Sequence, residues 1–270
     1  MKNINDFVKM KKNNDPIVML TAYDYISAKF CEDNGVDMIL VGDSLGMVVY
    51  GEKSTLGVTV DDIIRHCKAV RNGAPETFII ADMPYMSYHL DINTTKQNAA
   101  RMILEGKADC VKLEGGSDSR IEAIKAIIDC EIPVIGHLGL TPQSIVKFGG
   151  FKVQGKMQKQ KDEILKQALA VEKAGAFMLV LECIPEELGL SISKELHIPT
   201  VGIGAGRYTD GQVLVWHDML GLSTQNTKFS KVWDNASIAI SSSVKGFVSD
   251  IKSKQFPEID HVYYPIEERK

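Results

Sequence analysis

The chain has 270 residues, of which 44% are hydrophobic and 24% charged, with a formal net charge of −4. That length suits one α/β barrel domain of roughly 250 residues better than two small domains. No apolar run approaches the ~20 residues that cross a bilayer, which argues against a membrane span, and the acidic balance offers no overall basic field for nucleic acid.

The N-terminal stretch MKNINDFVKMKKNNDP mixes lysines with acids and lacks the apolar core of a secretory signal, so it predicts a short helix. Short β-branched runs bounded by Gly, Pro, Asp or Asn then predict eight strands, at 17–22, 37–42, 78–82, 109–114, 133–137, 177–182, 199–203 and about 213–218. Helical patterns lie between them, such as those beginning at Asp61, Asn93, Asp118 and Lys161. Several open on an Asp, Asn or Thr cap and end near Gly73, Gly106 or Gly175. Strand followed by helix, repeated, makes a parallel sheet, and eight repeats make a closed (β/α)8 TIM barrel with a short N-terminal helix, expected as a single domain over 1–270. A last helix from about Trp233 to Ser253 and a polar tail to Lys270 complete the chain. An open doubly wound sheet is the weaker alternative, because no GxGxxG follows the first strand, which ends MLTAYDY. The GIGAG at 202–206 falls on the seventh strand, where barrels often bind phosphate, although tight backbone geometry explains such a turn equally well.

Four of the apolar runs end on a carboxylate: MILVGDS at Asp43, FIIADMP at Asp82, CVKLEGG at Glu114 and FMLVLEC at Glu182. They are separated by 39, 32 and 68 residues, close to one, one and two strand–helix periods, so a barrel brings all four to one mouth. Acids gathered where desolvation is costly point to a shared cation or to proton chemistry. In DCVKLEG, alternation places Lys112 and Glu114 on the same inward face, with Val111 and Leu113 turned to the helices. Taken alone, that pair reads as a structural ion pair. With Asp43 and Asp82, three carboxylates lacking a matching His or Cys cluster favour a hard divalent ion, magnesium before zinc. Asp43 alone also reads as a turn acid, and the adjacent Ser44 as a turn residue or as a donor to an oxyanionic substrate. His137 ends the fifth strand in the same register as the acids, where a structural role competes with a catalytic one. The other histidines carry no assigned role.

Five cysteines, at 31, 67, 110, 130 and 183, show no CxxC and no paired His spacing, which argues against structural zinc and a disulfide framework and fits a reducing cytoplasm. Cys183, beside Glu182, has no evident base or cation to lower its pKa and reads as a core thiol. The stretch from Leu138 to Lys161 is long for a loop between strand and helix and is expected to act as a lid over the mouth or as an oligomer contact.

The segments LTAYDY, VGDSLGMVVYG, STLGVTVDDIIRHCKAV, ADMPYMSY, VKLEGG, GHLGLTPQS, GGFKVQGK, LVLECIP, GIGAG and VWHDMLG occur in this order between about residue 3 and residue 250. Together they resemble the ketopantoate hydroxymethyltransferase family. TKFSKVWDNAS matches that family's pattern only loosely, and no motif follows Ser253. The resemblance implies a (β/α)8 enzyme that transfers a hydroxymethyl group from 5,10-methylenetetrahydrofolate to 3-methyl-2-oxobutanoate, giving 2-dehydropantoate for pantothenate biosynthesis. It further implies a magnesium ion associated with Asp43, Asp82 and Glu114, in part through water. Asp43, Ser44, Asp82 and Lys112 then hold the oxo acid, Glu182 is the proton acceptor, and the assembly is a cytoplasmic homodecamer of two stacked pentamers. The chemistry suits the residue types: Lys112 neutralises a carboxylate, His137 helps to position the substrate or relays a proton, and Glu182 needs a raised pKa to act as a base. A magnesium-dependent C–C lyase or mutase of the phosphoenolpyruvate mutase and isocitrate lyase type competes with this reading, but the Cys-bearing acid–base loop of isocitrate lyases is not evident. A non-catalytic barrel is a further alternative, and five intact charged residues at one mouth argue against it.

Overall fold

In the computed structural model, which describes residues 1–223 and 227–265, the apolar runs become eight parallel strands. These are β1 (Ile17–Thr21), β2 (Met38–Val41), β3 (Phe78–Asp82), β4 (Cys110–Glu114), β5 (Val134–Gly139), β6 (Met178–Glu182), β7 (Thr200–Ile203) and β8 (Gly211–Leu214). Each pairs with the next and β8 returns to β1, closing the barrel. Around it run α1 (Ile4–Asn13), α2 (Tyr25–Asp33), α3 (Leu45–Val48), α4 (Val60–Gly73), α5 (Ile92–Leu104), α6 (Asp118–Ile128), α7 (Ile145–Phe148), α8 (Gln158–Lys173) and α9 (Glu186–Glu195), and a short α10 (Trp216–Met219) follows β8 in the chain.

Because successive strand side chains point to opposite faces, the barrel has two apolar layers. Met19, Met38, Ile80, Ile135 and Met178 fill the interior, while Ile39, Ile79, Val111, Leu113 and Leu179 pack outward under the helices. The helices start where their caps require it. Thr59 and Asp62 form a reciprocal capping box at α4, and Asp91 accepts the Thr94 N–H at α5, each satisfying N–H groups that the first turn leaves without a partner.

Helix α1 closes the end of the barrel where the strands begin. Its Phe7 is fully buried in the interior cluster, with its ring 5.3 Å from Phe78 and edge-on to it, and Phe78 meets Phe177 at 6.0 Å. Burying such a ring contributes about 1.5–3 kcal/mol. Lys11 fastens the helix's last turn by donating to Asp210 and to the Ser193 carbonyl, each at 2.8 Å.

The barrel and α1 make up the larger of two compact units, Met1–Trp216 with Thr227–Ser230. The smaller holds the remaining described residues, including α11 (Ala236–Ser253), which Asn235 caps by accepting the Ser237 N–H at 3.2 Å. No helix among the described residues is long and apolar enough to cross a membrane. Of the tail expected to Lys270, residues 266–270 lie outside the described residues.

The chief departure from the sequence reading is the eighth strand, which runs from Gly211 to Leu214 rather than over 213–218. Gly211 starts it because the chain there passes so close to β1 that a Cβ would lie 2.4 Å from the Ile17 carbonyl oxygen. The strand stops before Trp216, whose N–H donates to the Thr21 hydroxyl at 2.9 Å as the chain turns into α10. The stretch from Leu138 to Lys161 is not a bare loop. It contains the end of β5, a 3-10 turn at Pro142–Ser144, α7 and the first turn of α8.

Candidate active site

The inward-facing series of β3 to β6 changes from apolar to charged at the strands' C-terminal ends. Asp82, the last residue of β3, is in register with Lys112; Glu114, the last of β4, is in register with His137; and Glu182, the last of β6, is in register with Gly139. Asp43 follows β2 and donates its main-chain N–H to Asp82 Oδ2 at 3.1 Å. Asp43, Asp82, Lys112, Glu114 and His137 are all buried, whereas the Glu182 side chain is 15% exposed at the rim. Ser44 lies beside them, its hydroxyl 2.8 Å from the Tyr23 hydroxyl, and its side chain does not cap α3.

Lys112 is the central cation. Its Nζ lies 2.8 Å from Asp82 Oδ1 and 3.9 Å from Glu114 Oε1. His137 stands between two acids, with Nδ1 3.4 Å from Glu114 Oε1 and Nε2 3.3 Å from Glu182 Oε2. Burial and the Lys112 ammonium, 3.2 Å away, pull the imidazole pKa down, but the two carboxylates more than offset them and raise it to about 9. The carboxylates on either side of His137 thus favour the protonated ring, and the neighbouring Lys112 opposes it.

The acids divide in the opposite sense. Burial raises Asp43 well above the usual carboxylate range, and the charges of Asp82 and Glu114 raise it further. Burial also raises Asp82, with Lys112 restraining the rise. In Glu114 burial is outweighed by His137 and Lys112, and the carboxyl is lowered. Asp43 and Asp82 are thus the acids whose ionised forms the cluster tolerates least.

Two residues that the sequence reading left without a role complete the site. Gln143, in the 3-10 turn after β5, donates its side-chain amide to Asp43 Oδ2 at 3.0 Å and its main-chain N–H to Glu114 Oε2 at 3.1 Å. Tyr88, in the loop after β3, donates its hydroxyl to Gln143 Oε1 at 2.6 Å. Both fall inside segments that carry the family resemblance, ADMPYMSY and GHLGLTPQS. They come from loops, where the alternation that exposes the strand-end acids gives no signal.

Other candidates settle on structural roles. Burial and the neighbouring Glu182 carboxylate push the Cys183 thiol up to about 12, so it is not a nucleophile at neutral pH. In the GIGAG turn, Gly206 has φ +87° and a Cβ there would lie 2.4 Å from the Glu186 side chain, so close packing alone requires glycine.

A hard divalent cation fits the donors present. Among the described residues no group of three or more His, Cys, Asp or Glu is placed to hold a metal ion by itself. Magnesium does not need one, because it commonly binds through one or two carboxylates and keeps water and substrate oxygens for the rest of its shell. The buried Glu114 Oε1 completes no hydrogen bond within the protein, leaving an oxygen free to accept from such a shell.

Comparison with known proteins agrees with this architecture. The family described as ketopantoate hydroxymethyltransferase matches residues 1–259. The 3-methyl-2-oxobutanoate hydroxymethyltransferase of Bacillus velezensis is 54% identical over 264 residues, covering 97% of this chain and 95% of that protein. Its counterpart in Bacillus subtilis strain 168 is 52% identical over the same length, with 97% and 95% covered. Among solved structures, a 2,3-dimethylmalate lyase of the PEP mutase/isocitrate lyase superfamily superposes with TM-score 0.61 at 15% identity, covering 97% of this chain and 91% of its own. A phosphonopyruvate hydrolase does so with TM-score 0.62 at 12%, covering 98% and 92%. At such identities the structural likeness speaks for the barrel alone, whereas the sequence match runs nearly end to end. The chain belongs to the ketopantoate hydroxymethyltransferase family and is a hydroxymethyltransferase.

Proposed function

We propose that this enzyme transfers a hydroxymethyl group from 5,10-methylenetetrahydrofolate to C3 of 3-methyl-2-oxobutanoate, giving 2-dehydropantoate for pantothenate biosynthesis, with Mg2+ as the resident ion. The observation that carries this reading is one buried cluster of three acids and a lysine, Asp43, Asp82, Glu114 and Lys112, with a rim carboxylate, Glu182, beside it. Asp43, Asp82 and Glu114 are the residues that would hold the ion, which supplies Lewis-acid stabilisation of negative charge on the oxo acid.

The remaining work falls to the chain's own groups. Lys112 offsets the charge of the substrate carboxylate, and Ser44 donates a hydrogen bond to it. Glu182, partly exposed at the mouth, takes the proton from C3; the carbanion left behind bonds to the one-carbon unit of the folate, the bonds from that carbon to the two folate nitrogens break, and water supplies the hydroxyl oxygen as tetrahydrofolate is released. His137, whose Nε2 lies 3.3 Å from Glu182 Oε2, orients that carboxylate. Burial of the cluster keeps water away from the developing charge. The family resemblance also leads us to propose a homodecamer, which light scattering on the purified protein checks directly.

Proton removal is testable apart from carbon–carbon bond formation. With Mg2+ in D2O and no folate, the enzyme should wash out the C3 proton signal of 3-methyl-2-oxobutanoate, and Glu182→Gln should not. Exchange by Glu182→Gln at the wild-type rate would assign the base elsewhere.

A further inference from the structure

Gln143 is 4% exposed, and the reaction above gives it no task. Its hydrogen bonds run in one fixed direction. Tyr88 Oη accepts the Glu114 N–H at 3.1 Å, and its single hydrogen goes to Gln143 Oε1 at 2.6 Å. The Gln143 amide nitrogen then donates both hydrogens, one to Asp43 Oδ2 and one to the Met83 carbonyl, each at 3.0 Å. A flipped amide would set its oxygen against the Met83 carbonyl, which can only accept, and would leave the phenol hydrogen without its acceptor, so Met83 and Tyr88 together fix which way the amide faces. Gln143 therefore meets Asp43 only as a donor.

The same residue grips a second acid, since its main-chain N–H donates to Glu114 Oε2 at 3.1 Å. One oxygen on each of two acids, brought from β2 and β4, is thus occupied by Gln143. Gln143 leaves Asp43 Oδ1 and Glu114 Oε1 untouched, and the latter is buried without a hydrogen-bond partner, its nearest cationic groups being His137 Nδ1 at 3.4 Å and Lys112 Nζ at 3.9 Å. Gln143 does not touch Asp82: the Asp43 N–H takes its Oδ2, and its Oδ1, which also completes no hydrogen bond, faces the Lys112 ammonium at 2.8 Å.

We propose that Gln143 is a positioning residue for the divalent-cation site, fixing the rotation of the Asp43 and Glu114 carboxylates so that Asp43 Oδ1 and Glu114 Oε1 are the oxygens available to the cation and its water, with Tyr88 locking the amide. This rests on reading these acids as metal-associated. A purely structural Gln143 would satisfy buried acceptors and affect folding stability without setting metal affinity.

The test measures Mn2+ binding, by the loss of the free-ion paramagnetic resonance signal, to the full-length wild type, Gln143→Leu and Tyr88→Phe in the absence of substrate. Mn2+ takes the same oxygen ligands as Mg2+. Gln143→Leu should bind about 10- to 100-fold more weakly, as is typical when a group supporting a ligand is lost. Tyr88→Phe keeps the ring over which Arg120 sits at 5.1 Å and removes only the hydroxyl with its two hydrogen bonds, of which the one to Gln143 bears on the amide, so it should weaken binding roughly three- to tenfold. If Gln143→Leu does not fold, as judged by circular dichroism, Tyr88→Phe carries the test. Variants within twofold of the wild type would overturn the role of Gln143 and leave the metal reading intact. A wild type that takes up no Mn2+ at millimolar concentration would overturn both.

Discussion

Replacing Lys112 with Met tests whether this lysine is what makes the acid cluster tolerable inside the barrel. Its Nζ is 2.8 Å from Asp82 Oδ1, and both side chains are at most 3% exposed. Methionine fills similar volume but leaves Asp82 and Glu114 without their shared ammonium. Removing one partner of a buried pair typically costs about 3–5 kcal/mol, because the other charge stays buried and unpaired. At about 2–4 °C per kcal/mol for a chain of this size, the melting temperature should fall by roughly 6–20 °C at pH 8 without divalent ions. The pH dependence has a fixed sign. The folded-state pKa values of Asp43 and Asp82 are already raised by burial, and loss of Lys112 raises them further. A carboxyl raised on folding penalises the native state above its unfolded value near 4, and the penalty grows until pH passes the folded value. The variant should therefore recover stability relative to the wild type as pH falls from 8 to 5.5. Urea denaturation at the two pH values measures this. A loss below about 1 kcal/mol, or an equal loss at both values, would refute the reasoning, with His137 the residue then neutralising the acids.

Glu182→Gln should keep the fold and metal affinity but lose about 10²–10⁴ in kcat, the usual worth of a general base, as read in steady-state assays; full activity would remove Glu182 from that role. Asp82→Asn should lower both turnover and Mg2+ affinity, and calorimetric titration showing unchanged affinity would take Asp82 out of the metal site. Phe7→Ala should cost about 3–5 kcal/mol, because the ring is fully buried between α1 and the barrel floor; a melting temperature unchanged within a degree would show that α1 is dispensable. Burial, with Arg120 adding to it, lowers His89 to about 4, so between about 4 and 6.5 the unfolded chain binds more protons and stability falls as pH falls. Discounted for partial exposure, the effect is on the order of 1 kcal/mol, and His89→Asn should abolish it. Equal slopes for wild type and variant in denaturation at pH 7 and pH 5 would contradict this assignment.

The barrel was legible in the sequence because its strands are short apolar runs separated by capped helical patterns, and the inward series of β3 to β6 end on ionisable residues. Asp82, Lys112, Glu114, His137 and Glu182 follow the interior parity of β3 to β6, so counting by two from the strand centres reaches all of them. The eighth strand was misplaced because its apolar letters continue through Val215 and Trp216, while its true start is set by a close approach to Ile17 that only the folded barrel reveals. Gln143 and Tyr88 were invisible for a related reason. Each enters from a loop after a strand has ended, and its part in the site depends on hydrogen bonds between segments as distant as Asp43 and Gln143. Periodicity reports which face a strand residue occupies, but it carries no information about where a loop delivers a polar group.

The most direct test of the whole account is formation of 2-dehydropantoate from 3-methyl-2-oxobutanoate and 5,10-methylenetetrahydrofolate, followed with Mg2+ present and again after chelation. The account predicts product with the ion, little without it, and recovery when Mg2+ is restored. Folded protein that makes no product with Mg2+ and both substrates present would contradict it.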